Sequence, residues 1–324
     1  MKFWQSYGWR LVLNNALAFF VLVCITFILL RWLPGDPLDV LYSSDITRSV
    51  SLVEREAMRE SLGWHGSIWA QGWQYIGELA QGHLGYSIYH AAPVSELLAA
   101  SLPWSLALVL LSIPLALVAG VLPGLIAGSQ VSKRLDYWLV ILAAVFSSLP
   151  SFALALLLSS IFAHQLGWFP LSGGATLFAD YSGWQRVLDY LWHGWLPLLV
   201  LAAHGALRYF YLARGLAQQL SQRPFIAVAK ARGLNQWQLI KHYYWPNAWP
   251  EILTRMTGVL PSVLGSTLFV EVVFSYPGIG QLLLDAIYNR DFPVIQGAIL
   301  TIGFIILITN SLIDLMVHQL SLRG

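Results

Sequence analysis

The chain has 324 residues, of which 57% are hydrophobic and 10% charged, with a formal net charge of +2. Soluble domains carry about 25% charged residues, so these charges cannot coat a globule of 36.1 kDa, and soluble and disordered classes are both excluded. The apolar residues come in long blocks without alternation, which argues against a β-barrel and leaves an all-α, polytopic membrane protein. Six stretches approach the roughly 20 mostly apolar residues that a spanning helix needs: 11–32, 104–128, 137–165, 195–213, 256–276 and 293–318. The first follows Lys2 and Arg10 as a signal peptide would. Its apolar run is longer than a signal core and no A-x-A site follows, so it reads as an uncleaved helix. The third is overlong and contains Pro150, which predicts a kink or an early end there. Pro114, Pro123, Pro197 and Pro261 also read as breaks inside spans, mostly structural kinks.

An even number of spans puts both termini on one side, and the Lys/Arg bias of the short loops chooses the cytoplasm. On that side fall Lys2, Arg10, Lys133, Arg134, Arg208, Arg214, Arg223, Lys230, Arg232, Lys241, Arg255 and Arg323, whereas most acids fall outside. The 15 tryptophans suit interfacial belts. The charge balance offers no field for nucleic acid, and no nucleic-acid-binding signature is present. The single cysteine, Cys24, permits no intrachain disulfide.

Two connecting segments are too long to be plain loops. The external one, 34–103, opens on Pro34-Gly-Asp-Pro, a turn in which both prolines fix φ. Its residues 51–62 are charged and helical in pattern, and 82–87 read as a loop. It is either a cap packed on the membrane or a docking surface for an external partner. The cytoplasmic segment, 214–250, reads as helix, glycine turn, helix. Pro224 suits a first helical turn, and Gly233 stands where a left-handed cap belongs. Asn235 with Gln238 forms a capping box. Trp237, Ile240 and Tyr244 then share a stripe, and Pro246 ends the second helix. Such a hairpin lies on anionic lipid or inserts as a knob into a groove of a cytoplasmic protein.

The stretch Phe225-Ile-Ala-Val-Ala-Lys-Ala-Arg-Gly-Leu, followed by Lys241-His-Tyr-Tyr-Trp-Pro-Asn-Ala, resembles the EAA loop of ABC importer permeases. Aligned on Gly233, the glycine, Pro246 and one alanine, Ala229, match; Ala227 replaces the glutamate, and aromatics replace the Ile and Leu before the proline. Pro34-Gly-Asp-Pro, Leu84-Gly-Tyr-Ser, Ser148-Leu-Pro-Ser-Phe, Leu166-Gly-Trp-Phe-Pro and Glu271-Val-Val-Phe-Ser-Tyr-Pro-Gly-Ile-Gly are similar, in the same order, to the peptide/nickel-type permeases of that superfamily. The resemblance extends to Arg290-Asp-Phe-Pro and so covers nearly the whole chain, and the long external loop looks like that of the first of two permease subunits.

The resemblance implies a type I importer-like permease, with 1–324 as one transmembrane domain, in a bacterial inner membrane. Its partners would be a second permease subunit, forming a heterodimer with this chain, two cytoplasmic ATPases and a periplasmic or lipid-anchored solute-binding protein, with lipid around it. The hairpin would couple to the ATPases, and Phe225, Val228, Ala229, Gly233, Trp237, Ile240 and Pro246 are the candidate coupling residues. The chain has no P-loop sequence and no Ser/His/Asp or metal-ligand constellation, so no catalytic residue, metal or cofactor of its own is expected. ATP and magnesium would belong to the partners.

Glu271 lies within the fifth predicted span, where an ionisable group is costly and a functional suspect. It is either hydrogen-bonded to a neighbouring helix or loop, or part of a gate. An ion-coupled secondary transporter is the rival class, but such proteins bury more mid-membrane charge and carry inverted repeats. Short peptides are the first expectation for the cargo, with nickel chelates, glutathione-like compounds, opines and cationic antimicrobial peptides left open.

Overall fold

A computed structural model describes residues 2–32, 67–87, 89–129 and 132–321. The Pro34-Gly-Asp-Pro turn and the helix expected at 51–62 lie outside the described residues. In chain order the elements are α1 (Lys2–Trp32), α2 (Ile68–Ala80), β1 (Tyr86–Ser87), β2 (Ala92–Pro93), α3 (Val94–Gly128), α4 (Lys133–Ser147) and α5 (Ser151–Leu158), which continues as a π-helical turn, Ser159–Gln165. Then follow α6 (Trp184–Ser221), α7 (Pro224–Ala231), α8 (Gln236–Leu239) with a π-helical turn Ile240–Tyr244, α9 (Trp245–Val273), α10 (Ile279–Tyr288) and α11 (Phe292–Ser321).

By length and composition four helices, α1, α3, α6 and α11, are fit to cross a membrane among the described residues, and the α4–α5 pair makes a fifth if counted as one. That pair is bent by 98° between Ser147 and Ser151, where Pro150 precedes the first turn of α5. A proline there has no N–H to give and its ring blocks continuation, as the sequence predicts. Pro114, Pro123 and Pro197 behave otherwise: they sit inside continuous helices α3 and α6. The helix that carries the stretch expected as a fifth span, α9, ends at Val273, three residues before the predicted end at 276. Helix α10, which the sequence reading missed, follows as a separate short apolar helix.

The chain divides into two compact units, 1–102 with 282–307 and 103–281 with 308–324. In the first, α1 packs on α2 and α11. The rings of Phe27 and Tyr75 stand 5.7 Å apart, as do those of Phe19 and Phe304. A Cβ on Gly303 would strike Leu22, and one on Gly297 would lie 2.5 Å from Val94 Cγ1, so these glycines set the approach of α11. Strands β1 and β2 pair antiparallel, Ser87 opposite Ala92, which makes a short hairpin of what reads as loop in sequence. Its anchor is Asp291, whose carboxylate accepts from the buried Ser87 hydroxyl.

Burial pushes the Asp291 carboxyl above its usual range, against the pull of Ser87, the Val294 and Tyr89 N–H groups and His90. The folded state thus holds this proton more tightly than the unfolded chain. The contribution is full at acid pH and is lost as pH rises through the raised pKa. Asp291→Asn is expected to keep the Ser87 contact while flattening this dependence, which thermal midpoints in detergent at acid and neutral pH would measure.

In the second unit α3 and α6 meet through a glycine stripe. A Cβ on Gly120 would strike the Ala206 carbonyl, one on Gly124 would lie 2.5 Å from the Phe210 carbonyl oxygen, and one on Gly128 would strike the Arg214 carbonyl. Small residues at every fourth position let two backbones approach closely. The same unit holds a core of Val121, Leu125, Tyr209, Ala213, Ala217, Ile226, Leu239, Ile240, Tyr244 and Ile252, which joins the ends of these helices to the α7–α8 segment.

Candidate functional site

The α7–α8 segment is built as its sequence suggests. Helix α6 continues to Ser221, eight residues past the predicted span, and closes with the Ser221 hydroxyl 2.9 Å from that of Tyr244. Pro224 opens α7 at its first turn. The chain reverses through Gly233 at φ +79°, a left-handed conformation that a side chain resists. Asn235 then caps α8. Its side chain accepts from Gln238 N–H at 2.9 Å, and Gln238 Oε1 accepts from Asn235 N–H at 2.9 Å. The Gln236 amide reaches the Ser129 carbonyl at 3.1 Å, tying the turn to the end of α3. Nearby, Arg214 grips Asp136 through two bonds of 2.6 and 2.8 Å, so α6 is clamped to the first turn of α4.

The apolar residues of the segment divide into two sets. Ile226, Ala229, Leu239, Ile240 and Tyr244 are buried in the core described above. Phe225, Val228 and Trp237 project outward at 39%, 52% and 66% exposure. Phe225 stacks on Tyr243 at 6.4 Å, and Arg223, Lys230, Arg232 and Lys241 are exposed around them. Two expectations need correction here. Ala229 and Ile240 do not share the outer surface with Trp237; the stripe faces the core at Ile240 and Tyr244, and Trp237, in the first turn, projects beyond it. Pro246 does not end the helix. It occupies the first turn of α9, directly after the π-helical turn at 240–244, whose wider ladder accommodates a residue without an N–H.

Glu271 is fully buried near the end of α9. Its Oε2 accepts the Gly280 N–H at 2.7 Å, and its backbone carbonyl accepts the Tyr276 N–H at 2.8 Å. Ser105 Oγ accepts the Ile279 N–H at 2.9 Å beside it. A Cβ on Gly278 would strike the carboxylate, and one on Gly280 would lie 2.5 Å from the Leu268 carbonyl oxygen. The carboxylate thus fills the space left by two glycines and serves the unpaired N–H groups at the start of α10. This is the hydrogen-bonded alternative among those the sequence leaves open. Among the described residues no three His, Cys, Asp or Glu side chains are grouped to hold a metal.

Residues 120–323 match the family described as binding-protein-dependent transport system inner membrane component. The chain belongs to that family. The match places the permease in the inner membrane and supports binding-protein-dependent transport over the ion-coupled alternative. Among relatives, a chain of Brucella suis biovar 1 (strain 1330), provisionally named a peptide permease protein, is 34% identical over 91% of both chains. The glutathione transport system permease protein of Escherichia coli O6:H1 is 30% identical over 92% of this chain and 91% of its own. The oligopeptide transport system permease protein of Bacillus subtilis (strain 168) is 27% identical over 90% of both. The permease is thus the membrane component of an ABC importer, a class that works with ATPase and solute-binding partners. The Gly120-x3-Gly124-x3-Gly128 stripe was missed by sequence reasoning, although its spacing inside an apolar run is a sufficient signal.

Proposed function

We infer that the permease forms half of the pathway of an ATP-driven importer of short peptides, paired with a second, different permease subunit. Six spans with both termini in the cytoplasm would suit this reading, and α1, α3, α6, α11 and the α4–α5 pair supply five of them by length and composition. ATP and magnesium would bind the two ATPase subunits, and the permease would hold no cofactor and carry out no covalent step. A loaded binding protein docks outside, and closure of the ATPases moves the α7–α8 hairpin. The pathway then alternates between outward and inward access, driven by the different affinity of ATP for the two states. The observation that carries the reading is the two-sided hairpin: Phe225, Val228 and Trp237 exposed around Gly233, on a base of Ile226, Leu239 and Tyr244 buried in the chain's own core.

Gly233→Val tests it. A Cβ at Gly233 meets nothing within 4 Å, so the cost is conformational, about 1–2 kcal/mol for the left-handed backbone. Co-purification of the ATPase subunits in detergent and peptide uptake are expected to fall by about tenfold, with membrane insertion intact. Gly233→Asn, which tolerates this conformation, is expected to retain most of both. Unchanged co-purification and uptake in the valine variant would remove the coupling role.

A further inference from the structure

Helix α6 carries a polar face that neither the hairpin nor the helix packing uses. One side of α6, with Ala206, Tyr209, Ala213 and Ala217, packs against the glycine stripe of α3. At 100° per residue the opposite side carries His204, Arg208, Tyr211 and Gly215 in one row. Arg208 is exposed and His204 half-buried; Tyr211 is 40% exposed. A Cβ on Gly215 would meet nothing within 4 Å. The buried Nδ1 of His204 has no hydrogen-bond partner, and among the described residues no carboxylate pairs with Arg208.

The depth of this row matters. Arg208 lies six residues, about 9 Å of helix, on the membrane side of Arg214, whose pair with Asp136 is near the cytoplasmic end of the bundle. It therefore lies within the helix, deeper than its count among the cytoplasmic cations implies. A guanidinium turned to hydrocarbon is costly, and such groups face a bundle interior or a water-filled cavity.

We propose that this face of α6 lines the solute pathway and that Arg208, with His204 and Tyr211 beside it, forms a transient station for the carboxylate of the solute, the C-terminal carboxylate of a short peptide. The inference deepens the peptide-importer reading and rests on it. A planar guanidinium offers two parallel donors to a carboxylate, and the Tyr211 hydroxyl and His204 ring add further ones. Every linear peptide carries this carboxylate whatever its side chains, so one cation on the path favours the class without selecting a sequence.

The test uses the complete transporter with its second permease subunit, ATPases and binding protein in proteoliposomes. In a Cys24→Ser background the Gly215→Cys variant is exposed to anionic and cationic water-soluble methanethiosulfonates, with Leu110→Cys, at an exposed apolar position of α3, as the control. Reaction at position 215 is expected to be faster than at 110 and faster with the anionic reagent. Arg208→Gln is expected to lower that anion preference, and the uptake of radiolabelled di-alanine, by about tenfold, and Arg208→Lys by less. No aqueous reaction at 215, an anion preference unchanged by Arg208→Gln, or loss of the second permease subunit from the Arg208→Gln complex would each overturn the station. Failure of the unmodified complex to accumulate di-alanine overturns the peptide-importer reading instead, and the reagent preference still reports on the pathway.

Discussion

Replacing Gly124 with valine is expected to prevent the permease from accumulating as a monodisperse protein in detergent. The new Cβ would lie 2.5 Å from the Phe210 carbonyl oxygen and 2.9 Å from the Ala213 Cβ. Neither is the free end of a flexible side chain, so α3 and α6 must separate along the stripe. Overpacking of a closed core costs about 1–3 kcal/mol, and here the wedge acts on two backbones, which puts the loss at or above the upper end. Gly215→Ala is the internal control. Its Cβ enters open space, and alanine gains about 0.8–1.0 kcal/mol over glycine inside a helix. Fluorescence-detected size exclusion with a thermal ramp measures both. Equal behaviour of the two variants would show that the stripe is not what holds these helices together.

Glu271→Ala is expected to lower stability by about 3 kcal/mol, because it leaves the Gly280 N–H without its acceptor in a buried site and opens a void between Gly278 and Gly280. Glu271→Gln keeps an oxygen for Gly280 and is expected to cost only about 1 kcal/mol. The loosened turn at Tyr276–Pro277 should become a site of proteolytic cleavage in the alanine variant, so limited proteolysis beside a thermal ramp reads the effect directly. A gate would behave differently: transport would change in both variants while cleavage and thermal midpoint stayed at the native values.

What the sequence revealed and what it hid have separable physical causes. Long apolar runs mark α1, α3, α6 and α11 without ambiguity, because a membrane demands length and apolarity from each span alone. Pro150 marks the α4–α5 bend for an equally local reason. The Gly233 turn and the Asn235–Gln238 capping box are also local, being set by one glycine and by residues three apart. Helix α10 is too short to separate from the turns around it. The role of Glu271 depends on Gly278 and Gly280 returning to it through a tight turn, which no periodicity records. Ile240 and Tyr244 do share a buried face, but Trp237, in the first turn of the helix, points away from it, an orientation that a three-residue step does not fix. Arg208 counts among the cytoplasmic cations although the predicted span 195–213 contains it, because a charge bias does not record depth; the helix itself runs on to Ser221.

The absence of a break in one stretch has a mechanical meaning. From Gln236 through the π-helical turn to Val273 the chain is helical at every residue, a path of about 57 Å along its axis. The turn at Asn235 and the latch at Glu271 are thus joined by unbroken helix, and a displacement of the first has no loop to pass through before it reaches the second.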